Sequence, residues 1–174
     1  MSEKNNNIVA HFVSMRRVAR VNSGGKTFRS SVLVVVGDEK GRVGYGLGKS
    51  SEVPESVKKA TRSGTKRMIK VSLFEGRTLY YDVKAKFCQS LVYIRKARAG
   101  TGIVAGGAAR YVFEALGVKD VVCKVLGNNP INNVRAIMKA LSSIKTPKEI
   151  ARRRSVPKEN LFYNTKKKEL GEQI

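Results

Sequence analysis

The segment from residue 32 to residue 59 constrains the fold of this chain more than any other stretch. It begins with five branched apolar residues, VLVVV, which predict a strand covered on at least one face. The polar loop at residues 37–41 has glycine at both ends and predicts a hairpin connection to a second strand. In that second strand, residues 44–48 read GYGLG, so one face carries no side chains and another surface can approach the backbone closely.

This bare strand face has two competing interpretations. In the first, Gly46 meets the phosphate backbone of a nucleic acid, with Arg42 and Lys49 beside it. In the second, the strand packs tightly under a helix. A nucleotide-binding P-loop fits less well, because the first glycine of that motif would fall at Val43. The sequence therefore predicts a close approach here and leaves open what approaches.

A basic amphipathic helix is predicted directly after the glycine-rich strand. Ser50 and Ser51 are candidate N-caps, and Pro54 falls in the first turn, where its missing N–H is harmless. Small and apolar residues line one face. The opposite face is cationic and is formed by Lys58, Lys59, Arg62, Lys66 and Lys70. Because like charges at i, i+4 destabilise a helix that no anion meets, this face favours RNA contact over simple solvation.

The charge of the chain predicts a polyanionic partner. Lysine and arginine number 35 against 13 acidic residues, which gives a net charge of +22 at pH 7. Residues 1–75 hold 15 cations and 6 acids, and residues 76–150 hold 13 and 4, so each segment carries a net +9. Nucleic acid is favoured over a membrane surface, and both halves are expected to contact it.

Several other classes of protein are disfavoured. No apolar run approaches the ~18 residues of a membrane-spanning helix, and the polar first ten residues do not resemble a secretory signal. Cys88 and Cys123 have neither CxxC spacing nor a neighbouring histidine, which argues against structural zinc and for a reducing cytoplasm. The only histidine, His11, is interpreted as an incidental strand residue. No catalytic residue, metal or cofactor is therefore expected.

A strand, a glycine turn and a returning strand are predicted in the first domain. Residues 8–21 form the first strand and residues 27–36 contribute to the second. The exposed side of the first strand carries Arg16, Arg17 and Arg20. The turn consists of Asn22, Ser23, Gly24, Gly25 and Lys26. This turn is either a protruding tip that enters a groove of the RNA or a plain hairpin loop.

The second half of the chain predicts further strands and helices. Residues 85–94 and 118–126 predict strands, and the glycine-rich residues 100–107 open a helix that reaches Leu116. In that helix, Arg110 either pairs with Glu114 at i, i+4 or contacts a neighbouring molecule. Glu114 and Asp120 are interpreted as surface charges.

Two more helices are predicted near the C-terminal end. One follows from the i, i+3, i+4, i+7 spacing of Val134, Ile137, Met138 and Leu141. A capping box from Thr146 to Glu149 opens a short last helix. The predicted organisation is an α+β protein with four segments: a disordered N-terminus at 1–9, domains at 10–75 and 76–150, and a basic tail at 151–174.

Three motifs of this chain resemble one family. They are VVVGDEKGRVGYGLGKSSEVPESVKKA at residues 34–60, GTGIVAGGAARYVFEALGVKDV at residues 100–121, and NPINNVRA at residues 129–136. Their content and order are similar to bacterial-type small-subunit ribosomal protein S5, and the resemblance covers roughly residues 10 to 155. Two departures stand out: Ser23 replaces the usual lysine before the paired glycines, and the turn at residues 127–130 looks one residue shorter.

The resemblance implies a fold and a function. The first domain would be similar to a double-stranded-RNA-binding domain, with a three-stranded sheet and one helix, and the second would have a βαβα fold. The chain would bind small-subunit ribosomal RNA near the decoding region and the path by which messenger RNA enters. Neighbours would be ribosomal proteins S4 and S8, with no membrane contact and no homo-oligomer. A bacterial, cytoplasmic ribosome is the expected location, with an organelle as the alternative.

The resemblance and the charge together give a set of expected contact residues. Gly102 and Arg110 would face S4 and influence decoding accuracy. The residues expected to contact ribosomal RNA are Arg16, Arg17, Arg20, Asn22, Ser23, Gly24, Gly25, Lys26, Arg42, Gly46, Lys49, Lys58, Lys59, Arg62 and Lys66.

Two other functions compete with a ribosomal one. In an ATP-dependent small-molecule kinase, the glycine-rich residues 100–107 would cradle phosphate at a helix start, although no acid–base or magnesium-binding set accompanies them. A free-standing regulator that binds duplex RNA is the third hypothesis, and it would be found outside ribosomes.

Overall fold

The structure is a computed structural model that describes residues 8–156 of the chain, and the predictions made for 1–7 and 157–174 lie outside these residues. It contains two sheets, each packed against helices, so the predicted α+β class is confirmed. The first part comprises β1 (Val9–Asn22), β2 (Gly25–Gly37), β3 (Arg42–Ser50), α1 (Val53–Lys66) and β4 (Ile69–Lys70). The second comprises β5 (Val83–Phe87), β6 (Ser90–Lys96), β7 (Ile103–Val104), α2 (Ala108–Leu116), β8 (Val121–Leu126), α3 (Pro130–Ser143) and α4 (Pro147–Arg154).

The first sheet is antiparallel, in the order β1-β2-β3-β4. Three long strands and one helix match the expectation, and the two-residue β4 is an addition. The predicted serine caps of α1 are wrong: Glu52 occupies the N-cap without a side-chain hydrogen bond. Ser50 is still part of β3, and its hydroxyl donates to the carboxylate of Glu55 instead.

The glycine face of β3 packs against α1, which decides between the two interpretations. Added Cβ atoms at Gly44, Gly46 and Gly48 would overlap the carbonyl oxygens of Gly64, Ala60 and Ser56, respectively. Three small residues spaced four apart on the helix therefore meet three glycines spaced two apart on the strand. Gly46 is buried here, so its predicted RNA contact is corrected to a packing role.

The second sheet has the order β5-β6-β8-β7, with β7 parallel to β8 and the other pairs antiparallel. The single strand predicted at residues 85–94 is wrong, because a turn at Cys88 (φ 50°) divides it into β5 and β6. The helix predicted to open within residues 100–107 begins later, at Ala108, since Ile103 and Val104 pair with β8.

The last two helices follow their sequence signals. The apolar stripe predicted for α3 is buried, and the Thr146–Glu149 capping box is present in α4. The predicted outer boundaries differ slightly from the structure. Arg152, Arg153 and Arg154 belong to α4 and not to a separate tail, and Val9 is already part of β1.

One hydrophobic core joins the two sheets. Leu33 and Val35 of β2 belong to the same buried cluster as Phe113 of α2, whereas the opposite face of β2 packs under α1. The β2–β3 loop docks on the end of α2, where the amides of Glu39 and Gly41 donate to the carbonyls of Ala115 (3.1 Å) and Leu116 (3.0 Å). The boundary predicted near residue 75 falls between β4 and β5, but the core continues across it.

Candidate nucleic-acid interface

A two-stranded ribbon extends from the first sheet. Residues 16–29 are all exposed, and Asn22 pairs with Gly25, so the turn consists of Ser23 and Gly24. The extended chain from Arg16 to Asn22 spans six residue-to-residue steps, which give a protrusion of roughly 20 Å. The predicted turn, from Asn22 to Lys26, therefore contains a two-residue hairpin loop that lies at the tip of a protrusion, and its entry into a groove of the RNA stays a prediction.

One face of the ribbon is cationic. Side chains alternate between the two faces of a strand, so Arg16 and Arg20 share one face. Register adds Arg29, which pairs with Val18, and Lys49, which lies across Ser31 from Arg16. We call Arg16, Arg20, Arg29 and Lys49 the cationic ribbon face. The sequence analysis missed Arg29. If a two-residue turn at Ser23 and Gly24 had been assumed, Arg29 would have been paired with Val18 and so placed on this face.

The opposite face of the ribbon is more apolar. It carries Met15, Ala19 and Val21, the last of which is 70% exposed, together with the predicted contact residue Lys26, which pairs with Val21. The guanidinium of Arg17 lies 4.1 Å from the ring centroid of Phe28 on the same face. Arg17 therefore points away from Arg16 and Arg20, and the prediction that all three share one exposed side is wrong.

The exposed face of α1 forms a second cationic surface. Lys58, Arg62 and Lys66 are exposed at i, i+4 spacing beside a shallow groove that Thr61 and Thr65 help to line. Lys59 instead pairs with Glu55 at 2.7 Å. The hydrogen bond from Lys59 lowers the pKa of Glu55 most, and the hydrogen bond from Ser50 lowers it further. Lys70, predicted on this helix face, lies in β4.

Arg42 stands apart from these two surfaces. It lies seven positions before Lys49 in β3, a distance of roughly 23 Å along the strand. Its Nε lies 2.6 Å from the buried carboxylate of Asp38. Burial alone would raise the pKa of Asp38, but hydrogen bonds from Arg42 and from the amides of Arg42 and Lys40 lower it overall. Arg42 therefore stabilises the loop that docks on α2.

A buried carboxylate organises the glycine-rich loop before α2. Asp120 is 2% exposed, so its interpretation as a surface charge is wrong. It accepts hydrogen bonds from the amides of Gly100 (2.9 Å) and Gly102 (3.0 Å), and its other oxygen pairs with Arg77 at 3.0 Å. The bond from Gly102 lowers the pKa of Asp120 most, burial opposes it, and Arg77 and Gly100 add to the lowering. These amides are thus engaged by the protein's own carboxylate and not directed at a phosphate.

The two residues expected to face a neighbouring protein are both accessible. Gly102 has φ +74°, and an added Cβ there would meet no atom within 4 Å. The side chain of Arg110 is 60% exposed and lies 2.9 Å from Glu114, which confirms the predicted i, i+4 pair.

We expect Asp120→Asn to loosen the glycine-rich loop. The substitution removes the negative charge to which the amides of Gly102 and Gly100 donate and with which Arg77 pairs. Amide hydrogen exchange at Gly100 and Gly102 should therefore accelerate at pH 7. Because the folded pKa is lowered, the carboxylate contributes stability above its unfolded pKa, about 3.9, and loses that contribution as pH falls through the folded value. The variant should therefore lose less stability than the parent on acidification below about pH 4.

Exchange rates from NMR and melting temperatures from pH 2 to 7 would measure both effects. Glu114→Gln is the control, since it also neutralises one carboxylate but touches neither amide. Unchanged exchange at Gly100 and Gly102 in the Asp120 variant would contradict the role assigned to this carboxylate.

Between residues 8 and 156, no three acidic, histidine or cysteine side chains are grouped so that they could hold a metal ion. In the same range, no helix is long and apolar enough to cross a membrane.

Comparison with known proteins gives a consistent match over both sheets. The family model for the N-terminal domain of ribosomal protein S5 matches residues 9–72, and that for its C-terminal domain matches residues 85–154. A small ribosomal subunit protein uS5 from Wolbachia pipientis wMel is 54% identical over 153 residues, covering 87% of this chain and 90% of the relative. The uS5 protein of Ehrlichia canis (strain Jake) is 55% identical over 144 residues, covering 82% and 83%. The uS5 protein of Rhodopseudomonas palustris (strain TIE-1) is 49% identical over 155 residues, covering 88% and 81%.

Proposed function

The chain belongs to the ribosomal protein S5 family, and from this premise we propose how it binds ribosomal RNA. It is a structural constituent of the bacterial small ribosomal subunit and not an enzyme. Its main contacts with small-subunit RNA are made by the cationic ribbon face and by Lys58, Arg62 and Lys66 of α1. The single observation that carries this proposal is the cross-strand register that gathers Arg16, Arg20, Arg29 and Lys49 on one exposed face.

The mechanism is phosphate neutralisation combined with fit to a folded RNA. Contacts from arginine and lysine to phosphates position a protein without reading sequence. The ribbon is narrow and stands clear of the sheet, so its tip can reach between RNA segments that the body of the domain cannot approach. On α1, an RNA backbone would offset the repulsion between cations four residues apart. The shared hydrophobic core would keep the ribbon and the second domain in a fixed relation while RNA is bound.

The glycine-rich loop and Arg110 are proposed to face ribosomal protein S4. Gly102 is open to an approaching chain, and Asp120 holds its backbone in place before any partner arrives. A preformed loop loses little conformational entropy on binding. A role in decoding accuracy through this contact is proposed from family membership. So are contact with S8, support of subunit assembly and a position beside the path of incoming messenger RNA.

Supplying this chain as the only copy of the protein in a bacterial cell tests the proposal. A tagged form should co-sediment with small subunits and whole ribosomes in a sucrose gradient, with little material at the top. A stable free pool would favour the independent regulator. Saturable heat on titration of the purified chain with Mg-ATP would favour the kinase, and none is expected.

A further inference from the structure

The outer edge of β1 is an open strand edge. The first sheet has the order β1-β2-β3-β4, so β1 is an edge strand over its whole length, Val9–Asn22. Within residues 8–156, no other strand pairs with this edge. An unpaired edge presents a row of backbone N–H and C=O groups beside which another strand can form. Register decides which residues of β1 contribute to that row.

The turn of the ribbon determines which backbone groups of β1 point away from β2. Asn22 and Gly25 flank a two-residue turn, and such a pair exchanges both of its backbone hydrogen bonds. Hydrogen-bonded and non-hydrogen-bonded pairs then alternate along the two strands. The residues that direct their N–H and C=O groups outward are therefore Met15, Arg17, Ala19 and Val21. They recur about every 7 Å along a stretch without irregularity, because the register shift lies further back in β1, before Ser14.

These four residues also place their side chains on the more apolar face of the ribbon. Met15 is 49% and Val21 is 70% exposed, and Ala19 lies exposed between them. Phe12, which is 50% exposed, extends the apolar surface beyond the register shift. Natural edge strands are commonly protected from pairing by lysine or proline, and neither occurs among the four outward positions. The edge is therefore suited to pairing in both its backbone and its side chains.

Charge determines which kind of strand fits this edge. Arg17 is exposed on it, with its guanidinium 4.1 Å from the ring centroid of Phe28, and residues 8–37 contain no acidic residue. Opposite charges on neighbouring strands attract, and like charges repel. A second copy of this chain would bring the same arginines and a net charge of +22. An acidic strand is therefore favoured over a second copy.

We propose that the outer edge of β1 pairs with an extended, acidic segment of another protein, which adds a strand to the first sheet beside residues 15–21. The partner carries apolar residues beside Met15 and Val21 and an acidic residue beside Arg17. Strand addition of this kind derives its affinity from main-chain hydrogen bonds and its specificity from alternate side chains. An RNA backbone would accept hydrogen bonds from the N–H groups but would leave the C=O groups of the row without regular donors.

The other edge of the ribbon offers less backbone for pairing. Because β3 pairs with β2 from Ser30 onward, only Lys26 and Phe28 direct free backbone groups outward there. The proposal for β1 goes beyond the RNA contacts proposed above, which use the side chains of the cationic ribbon face. Since one contact uses a face and the other an edge, RNA and the acidic segment can bind at the same time.

Hydrogen exchange in the full chain, followed by NMR with a nine-residue peptide of alternating valine and glutamate, tests the proposal. The amides of the four outward residues should exchange about 10-fold more slowly or less when the peptide is bound. The amides of Arg16, Val18 and Arg20 already donate to β2 and should change little. The same peptide with every backbone nitrogen methylated keeps its charge but cannot donate, and it should protect none of them. A peptide with lysine in place of glutamate should not bind.

A substitution at Ala19 tests the edge without disturbing the ribbon. Ala19 and Phe28 form a non-hydrogen-bonded pair, so Ala19→Pro removes an outward N–H and leaves the bonds between β1 and β2 in place. Peptide affinity should fall about 10-fold or more, because a donor is lost and the proline ring obstructs the incoming strand. Ala19→Val is the matched control, since it keeps the N–H and should bind the peptide within a few-fold of the parent. Both variants should bind small-subunit RNA like the parent, which would show that the ribbon is folded.

Four results would overturn the proposal. Equal peptide affinity in Ala19→Pro and the parent would exclude the edge as the site. Protection spread evenly over residues 15–21 would indicate attraction by charge alone. Protection of the four outward amides by RNA without peptide would make RNA the occupant, and the same protection on raising the concentration of the chain alone would make it a second copy.

Discussion

Gly46→Ala should destabilise the protein by about 3 kcal/mol or more, at or above the upper end of what overpacking usually costs. The added Cβ would lie 2.7 Å from the backbone nitrogen of Gly64 and would overlap the carbonyl oxygen of Ala60. Both neighbours are backbone atoms of α1, so no side chain can rotate away. The helix itself must move, and the packing of Val32, Val34 and Val36 beneath it would be lost with it.

Thermal and urea unfolding of the purified variant would measure the effect, and a drop in Tm of about 10 °C is expected for a chain of this size. Gly106→Ala is the control, because an added Cβ there meets nothing within 4 Å and its φ is not positive. That control should leave stability unchanged or slightly raised. An unaltered Tm in Gly46→Ala would mean that α1 lies further from β3 than described.

The glycine strand shows which part of the fold could be predicted and which could not. The glycines at every second position predicted that another element lies close to β3. That inference needs only the two-residue period with which side chains alternate along a strand. The element that approaches β3 is α1. It can do so because its small residues Ser56, Ala60 and Gly64 recur every four positions. That spacing was visible in the sequence, and pairing it with the glycines would have favoured packing over RNA contact.

Other errors arose where a distant partner decides the outcome. Asp120 resembled a surface charge, since its amide partners lie 18 and 20 residues earlier in the chain. The turn at Cys88 carries no glycine, proline or asparagine, so no local signal divided β5 from β6. By contrast, α3 and the capping box of α4 are determined within a few residues of sequence, and both were predicted correctly.

The sequence predicted which residue types form the candidate interface, but the structure places these residues on different surfaces. The arginines of β1 were expected on one side, but a ribbon with two exposed faces separates Arg17 from Arg16 and Arg20. Register, which composition does not reveal, adds Arg29 to this surface. Gly46 has a structural role instead, because it lies under a helix, and Arg42 pairs with a buried carboxylate away from the two cationic surfaces.

Replacing Arg16, Arg20 and Arg29 with glutamine should weaken binding to small-subunit RNA roughly 100- to 500-fold at 0.1 M salt. Each phosphate contact contributes about 0.7 to 0.9 to the slope of log affinity against log salt, so the slope should fall by about 2 to 3. These side chains are exposed and outside the core, and surface substitutions of this kind usually change stability by less than about 0.5 kcal/mol. The loss would therefore report binding and not folding.

Filter binding or fluorescence anisotropy from 50 to 400 mM salt would give both affinity and slope. Arg152, Arg153 and Arg154 provide a matched control, because replacing them with glutamine removes the same charge from exposed positions on α4. If binding depended on net charge alone, the two triple variants would lose affinity equally, and the ribbon would have no special role. A loss confined to the ribbon variant would show that register, by placing Arg29 beside Arg16 and Arg20, determines where the RNA lies.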